Sequence, residues 1–151
     1  MKLIHGTALE TDGKGVLILG KSKSGKSTLA IQLISLGFRL VADDRTKLDL
    51  KENTVILSAP KLLPRGVEAR GIGVLNAPLI KEAPLSLVVD LSKAEKERLP
   101  CPETKTIKFF GYTFPFYFLK GIREPASIVY VFLKFGLKNL QYGSYLEIGD
   151  D

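Results

Sequence analysis

The sequence predicts one α/β domain over residues 1–151, in which a mixed β-sheet is flanked by helices. Three observations predict it. A short apolar run, Gly15-Val16-Leu17-Ile18-Leu19, ends in a glycine-rich turn, as a buried strand does. A helical period follows, with Leu29, Leu33 and Leu36 on one face and Gly37 where a C-cap belongs. A second apolar run at residues 38–42 completes a β-α-β unit, and more strand-like runs lie downstream.

Taken in order, residues 15–19 form the first expected strand and residues 27–36 the first helix. The strand at 38–42 ends at Asp43-Asp44. Residues 47–50 and 54–57 read as strands joined by a turn at Glu52-Asn53. LSLVVDL at 85–91 is dense in β-branched and aliphatic residues and reads as a strand. Residues 106–110 and 112–116 alternate like strands around Gly111. ASIVYVFLKFGLKNL at 126–140 begins with β-branched residues, but its length favours a helix.

Composition narrows the function classes. Apolar residues make up 45% and charged residues 25%, ordinary for a globular domain. No apolar run approaches the roughly 18 residues of a membrane-spanning helix, and the N-terminus turns polar too early for a secretory signal. No membrane association is expected. The single cysteine, Cys101, cannot form an internal disulfide and fits a cytoplasmic location. A formal charge of +6 suits a phosphate ligand or an acidic protein partner. The basic residues are scattered and match no nucleic-acid motif, so nucleic acid is not an expected partner.

Between the first strand and the first helix lies Gly20-Lys21-Ser22-Lys23-Ser24-Gly25-Lys26-Ser27, the pattern G-x-x-x-x-G-K-[ST]. Two glycines let the backbone fold around an anion, and successive N–H groups then point inward. The helix that follows adds the positive end of its dipole. In this pattern Lys26 reaches the β- and γ-phosphates of a nucleoside triphosphate, and the Ser27 hydroxyl ligates Mg²⁺. The strand before it and the helix after it are the context that the motif requires.

Such a site needs a second acid near the metal. Asp90, at the tip of Leu87-Val88-Val89, resembles the acid-tipped strand of many P-loop ATPases. Asp43-Asp44 offers two adjacent carboxylates just after the helix and second strand. Successive residues of an extended chain point oppositely, so one of the pair is free to face elsewhere. If both face the site, their repulsion raises one pKa toward the range useful for proton transfer. Glu68 and Arg70 alternate along an extended stretch and can share a face. By composition alone, His5 reads as a structural histidine and Arg98 as part of a solvated charged run.

Ile4-His5-Gly6, GKSKSGKS, RLVADD and VEARGIGVLNA at residues 67–77 occur in this order. Together they resemble the catalytic domain of the bacterial HPr kinase/phosphorylases, enzymes that phosphorylate a serine of the phosphocarrier HPr of the sugar phosphotransferase system. The resemblance is strong to about residue 77. It continues weakly through ERLP at 97–100 and LKNLQYGS at 137–144. It implies an HPr kinase/PEP carboxykinase-like fold, ATP and Mg²⁺ as cofactors, and HPr or an HPr-like carrier as partner. It implies that Gly20, Lys21, Ser22, Lys23, Ser24, Gly25, Lys26 and Ser27 bind the ATP phosphates, and that Ser27 and Glu68 ligate Mg²⁺. Asp44 would take the proton of the substrate serine, with Asp43 supporting it and His5 near the phosphates. Arg70 and Arg98 would complete the catalytic set. A homo-oligomer, a hexamer in that family, would be expected, although the aromatic run PFYF at 115–118 reads as core.

Three departures qualify the resemblance. The sequence starts almost at the His-Gly motif, so a short form without the family's N-terminal domain is expected. The segment after Asn76 is short. The V-R-P-G-R-N loop associated with dephosphorylation is replaced by Phe118-Leu119-Lys120-Gly121-Ile122-Arg123-Glu124-Pro125, which counts against the reverse phosphorylase reaction. Two alternatives therefore stand beside the protein-serine kinase: a kinase of a small hydroxylated metabolite, and a nucleotide-binding sensor module without transfer activity.

Overall fold

Strands that are apolar on both faces build the centre of the molecule. In the computed structural model, which describes residues 1–60 and 65–138, the chain runs β1 (Lys2–Thr11), β2 (Lys14–Leu19), α1 (Lys26–Ser35), β3 (Arg39–Ala42), β4 (Arg45–Lys51), β5 (Thr54–Ser58), β6 (Val67–Ala69), β7 (Gly73–Leu75), β8 (Glu82–Asp90), a 3-10 turn at Pro102–Thr104, β9 (Thr106–Phe109), β10 (Tyr112–Phe118) and α2 (Pro125–Phe135). Three of the hairpins turn on pairs of residues with positive φ: Asp12-Gly13, Glu52-Asn53 and Phe110-Gly111. Such pairs match the right-handed twist of the strands that they join.

β1 is antiparallel to β2 along one edge. Along its other edge β3 and β4 lie end to end, with Asp43 and Asp44 between them. The pairing then continues β4–β5–β8. β8 passes from one partner to another: residues 82–84 pair β5 antiparallel, and residues 85–90 pair β2 in parallel. The path β2–β1–β4–β5–β8 thus returns to β2, and the sheet curls on itself. β10 adds to β8 in parallel, and β9 closes a hairpin on β10. β6 and β7 form a separate two-stranded hairpin.

The two-residue alternation of strands divides the core into two layers. Leu9, Val16, Ile18, Leu87 and Val89 face the helices and pack against Leu29, Leu33, Val129 and Leu133. Ala8, Leu17, Val41 and Val88 face the opposite way and pack with Leu48, Val55 and Leu57. Phe38, fully buried, leads from α1 into β3 and meets the Tyr130 ring of α2 with centroids 6.3 Å apart.

The α/β expectation holds, with a mixed sheet and flanking helices. The strand and helix positions read from the sequence recur, with bounds shifted by a few residues. The expected helix at 126–140 is α2, which starts with Pro125 in its first turn and ends at Gly136, φ 74°. Residues 139–140, and most of the LKNLQYGS segment, lie outside the described residues. β1 and the β6–β7 hairpin were not among the expected strands.

This topology puts the ends of several strands together. Leu19 of β2 and Phe118 of β10 both pair with Asp90 of β8, so these three parallel strands finish side by side. β3 also runs parallel to β2, since both oppose β1. The loops after β2, β3, β8 and β10 therefore emerge along one edge. The crevice outside the carboxyl ends of parallel strands is where open α/β sheets bind ligands.

Candidate functional site

The loop from Gly20 to Gly25 folds tightly enough to need its glycines. A Cβ on Gly20 would lie 2.3 Å from Ser24 Oγ, which is buried without a hydrogen-bond partner among the described residues. Gly25, at φ 106°, turns the chain into α1 and offers no capping side chain. No acidic residue stands in the first turn of α1, so its positive end remains available to an anion. Lys26 is buried at 8% exposure. Its Nζ donates to the carbonyls of Gly20 at 2.8 Å and Lys21 at 3.1 Å. An ammonium has three protons, so one stays free for a phosphate oxygen.

A brace holds this loop from β8. Asp90 Oδ1 accepts the Ser92 N–H at 2.7 Å, and Ser92 Oγ accepts the Lys21 N–H at 2.6 Å. Asp90 is buried, and its carboxylate caps its own strand end instead of lining the phosphate cleft. Of the two acidic candidates, the Asp43-Asp44 pair lines the cleft and Asp90 does not.

That pair sits in the break between β3 and β4. Asp44 adopts φ 66°, a conformation that Asp tolerates better than most residues. Its carbonyl accepts the Gly6 N–H at 2.9 Å, and the Asp43 carbonyl accepts the Arg45 N–H at 2.7 Å. Thr7, fully buried on β1, fastens both acids. Its hydroxyl donates to Asp43 Oδ1 at 2.9 Å and accepts the Asp44 N–H at 3.2 Å. Two residues earlier on the same strand, His5 Nε2 lies 2.7 Å from Asp44 Oδ1. The break between the strands and these two β1 side chains turn adjacent carboxylates toward one space, which a straight strand would prevent.

One cleft of about 460 Å³ gathers these groups. Ser22, Lys23, Gly25, Lys26, Ser27 and Thr28 form one wall. Thr7, Asp43 and Asp44 form a second, and Glu68 and Arg70 reach in from the β6–β7 hairpin. Three cations and three carboxylates line it, so a polyanion and a divalent cation both find counter-charge there. Ser27, Asp43 and Glu68 supply hard oxygen donors of the type that Mg²⁺ prefers. Among the described residues no three His, Cys, Asp or Glu side chains converge as an all-protein cage. A cation held here would take most of its ligands from water and phosphate, as Mg²⁺ commonly does.

His5 reaches the cleft through Asp44. Arg98 is exposed in the segment after β8, and the structure does not bring it into the cleft lining. Thr7 and Ser92 are supporting residues that the sequence reading missed. Thr7 had one usable signal: it follows His5 by two residues, so on a strand both share a face. Ser92 carried none. Among the described residues no helix is long and apolar enough to cross a membrane.

Comparison with known proteins adds four matches. The family model described as "HPr Serine kinase C-terminal domain" matches residues 1–119. The HPr kinase/phosphorylase of Geobacillus thermodenitrificans is 39% identical over 103 residues, covering 63% of this chain and 33% of that protein. The HPr kinase/phosphorylase of Lactobacillus delbrueckii subsp. bulgaricus is 37% identical over 116 residues, covering 69% of this chain and 37% of that protein. The chain thus spans about a third of the length of the curated relatives it matches. A solved structure of the Hpr(Ser) kinase/phosphatase from Coxiella burnetii superposes with a TM-score of 0.74 at 24% identity. That match covers 89% of this chain and 95% of the other, and it establishes the shared fold.

Proposed function

Since the chain belongs to the HPr serine kinase C-terminal domain family, we propose that it transfers the γ-phosphoryl group of ATP to a serine hydroxyl of HPr or an HPr-like carrier. The observation that carries this reading is the single cleft shared by the phosphate loop, the Asp43-Asp44 pair, Glu68 and Arg70. A cytoplasmic setting goes with this reading.

The chemistry follows from the groups present. Phosphoryl transfer needs little covalent help from a protein; it needs alignment and charge neutralisation. The backbone of residues 20–25 and the start of α1 hold the phosphate chain. Lys26, fixed by two carbonyls, directs its remaining proton at the transferring group. Arg70 faces the same space and adds a second cation. Ser27, Glu68 and Asp43 would hold Mg²⁺, which would supply positive charge to offset the negative charge that develops on the transferring group. Asp44 takes the serine proton as the oxygen attacks. His5 orients the Asp44 carboxylate through their 2.7 Å contact. Arg98 has no role in this reading, because it stands outside the cleft.

The test is transfer of labelled γ-phosphate from ATP, with Mg²⁺, to purified HPr, with HPr carrying Ser→Ala at the acceptor as control. Label on the serine form alone is expected. Binding of ATP with no transfer to any protein acceptor would favour a metabolite kinase or a sensor module. Release of the phosphate from phosphorylated HPr, measured in the same preparation, decides whether the altered loop at 118–125 has lost the reverse reaction.

A further inference from the structure

The β6–β7 hairpin brings Glu68 and Arg70 to the cleft, yet it is held together by only three residue pairs. A two-stranded ribbon of this size does not keep its own place in water. Something has to fix it against the acid pair on the opposite wall. Val67 does part of this, since it is buried and packs with the helix-side core. The alternation of the strand then leaves Glu68 for the cleft.

The base of the hairpin is held by Arg65, two residues before β6. Its Nη2 donates to the Leu40 carbonyl at 3.0 Å and also to the Ile80 carbonyl. Ile80 belongs to the segment that leaves the hairpin, and that segment runs beside β3. There the Leu40 N–H donates to the Pro78 carbonyl at 2.7 Å, and the Ile80 N–H donates to the Leu40 carbonyl at 3.0 Å. One guanidinium nitrogen thus joins the entry of the hairpin, its exit and β3. Leu40 stands three residues before Asp43, and Arg65 stands three before Glu68. Both walls of the cleft are therefore referred to the same peptide group.

Stability alone is a poor account of this arrangement. Arg65 is partly buried, its Nε is buried without a hydrogen-bond partner, and no carboxylate pairs with it among the described residues. A cation placed this way carries a desolvation cost that an apolar side chain would avoid. What the guanidinium has, and an apolar chain lacks, is direction: it is planar, and its N–H bonds leave at fixed angles.

We propose that Arg65 is a positioning residue, which sets the β6–β7 hairpin so that Glu68 and Arg70 meet Asp43 and Asp44 across one space. This rests on the transfer reading above, and Arg65 itself stands outside the cleft lining.

The experiment compares Arg65→Met, which keeps an unbranched stem and removes the donors, with Arg65→Lys, which keeps a charge and donors on a flexible stem. Amide hydrogen exchange of the nucleotide-free chain reads the hairpin directly. In Arg65→Met the amides of residues 67–75 should exchange about tenfold or more faster, with those of α1 and β2 unchanged. ATP affinity measured without Mg²⁺ should stay within about twofold, because the phosphate loop is untouched. Transfer to HPr at saturating ATP and Mg²⁺ should fall about tenfold or more, since misplaced groups lose alignment. Arg65→Lys should recover part of both losses. Unchanged exchange over residues 67–75 would overturn the inference. So would faster exchange with full transfer, which would leave Arg65 a structural role only. Lost protection in α1 and β2 as well would mean that Arg65→Met has unfolded, and Arg65→Lys then decides by the same two readouts. An unmodified chain that binds ATP and transfers nothing would overturn the transfer reading, while the exchange comparison would still decide whether Arg65 holds the hairpin.

Discussion

His5 Nε2 lies 2.7 Å from Asp44 Oδ1, and this contact ties β1 to the acid pair at the mouth of the cleft. Both side chains are more than half exposed, so the pair is not a buried ion pair serving stability. Its consequence is orientation: Asp44 sits in the break between β3 and β4 at φ 66°, and its carboxylate has an imidazole to fix its direction.

Asp44→Asn keeps the shape and removes the carboxylate proposed as the base. Phosphoryl transfer should fall by about 10²–10⁴-fold, the range of general-base contributions, with ATP affinity retained. His5→Ala should lower transfer less, because it removes the orientation and leaves the carboxylate. Single-turnover transfer to the protein acceptor measures both. Unchanged transfer in Asp44→Asn would remove Asp44 from the role of base.

Thr7 binds both acids through one hydroxyl. Thr7→Val preserves shape and deletes the hydroxyl, leaving the Asp44 N–H and an Asp43 oxygen without that partner. A loss of about 1–3 kcal/mol in stability is expected from unsatisfied buried polar groups. Transfer should fall alongside it, and Thr7→Ser should restore both. Denaturant melts and transfer rates of the three forms provide the check. If Thr7→Ser fails to restore transfer, the methyl packing and not the hydroxyl is what matters.

The Ser92 hydroxyl is the brace between β8 and the phosphate loop. Ser92→Ala frees the Lys21 N–H, and phosphate binding should weaken by about 2- to 12-fold, one ordinary hydrogen bond. Ser92 lies outside the cleft lining, so titration of ATP into the variant reads the loop's preorganisation. Unaltered affinity would mean that the loop keeps its shape without the brace.

The sequence showed the phosphate loop and its flanking strand and helix because that motif is local: eight consecutive residues carry it. Asp43-Asp44 was visible as a pair, yet a straight strand would have sent its members apart. The break between β3 and β4 that reunites them comes from pairing with β1, which lies more than thirty residues earlier in the chain. β1 itself escaped detection because polar residues occupy its buried positions. Thr7, Glu10 and Thr11 are all buried there. Asp90 was ambiguous for a related reason: an acid at a strand tip can ligate a metal or cap a turn, and only the fold shows that it lies outside the cleft lining with Oδ1 accepting the Ser92 N–H at 2.7 Å.

Glu10 gives the fold a defined response to acid. It is buried at 3% exposure and faces its register partner Arg39 on β3. Arg39 donates through Nε at 3.0 Å and Nη2 at 2.9 Å, and the Gly13 N–H adds a third bond at 3.0 Å. The Arg39 hydrogen bonds hold the Glu10 carboxyl below its ordinary value of 4.5, against the opposing effect of burial. Between the lowered and the ordinary value the unfolded chain binds the extra proton, so stability rises with pH there. The contribution is complete above the ordinary value and is lost as pH falls through the lowered one. The carboxyls of Asp12, bonded to Lys134, and of Glu95, bonded to Lys105, are also held below their ordinary values, so the raw acid melt is a composite. Glu10→Gln separates this contribution, since glutamine does not titrate. At neutral pH the unmodified chain should melt several degrees above Glu10→Gln. The gap should close as pH falls below 4.5 and through the lowered value. Thermal melts of both forms across that range test it, and a gap independent of pH would show that Glu10 stabilises β1 by shape and not by its charge.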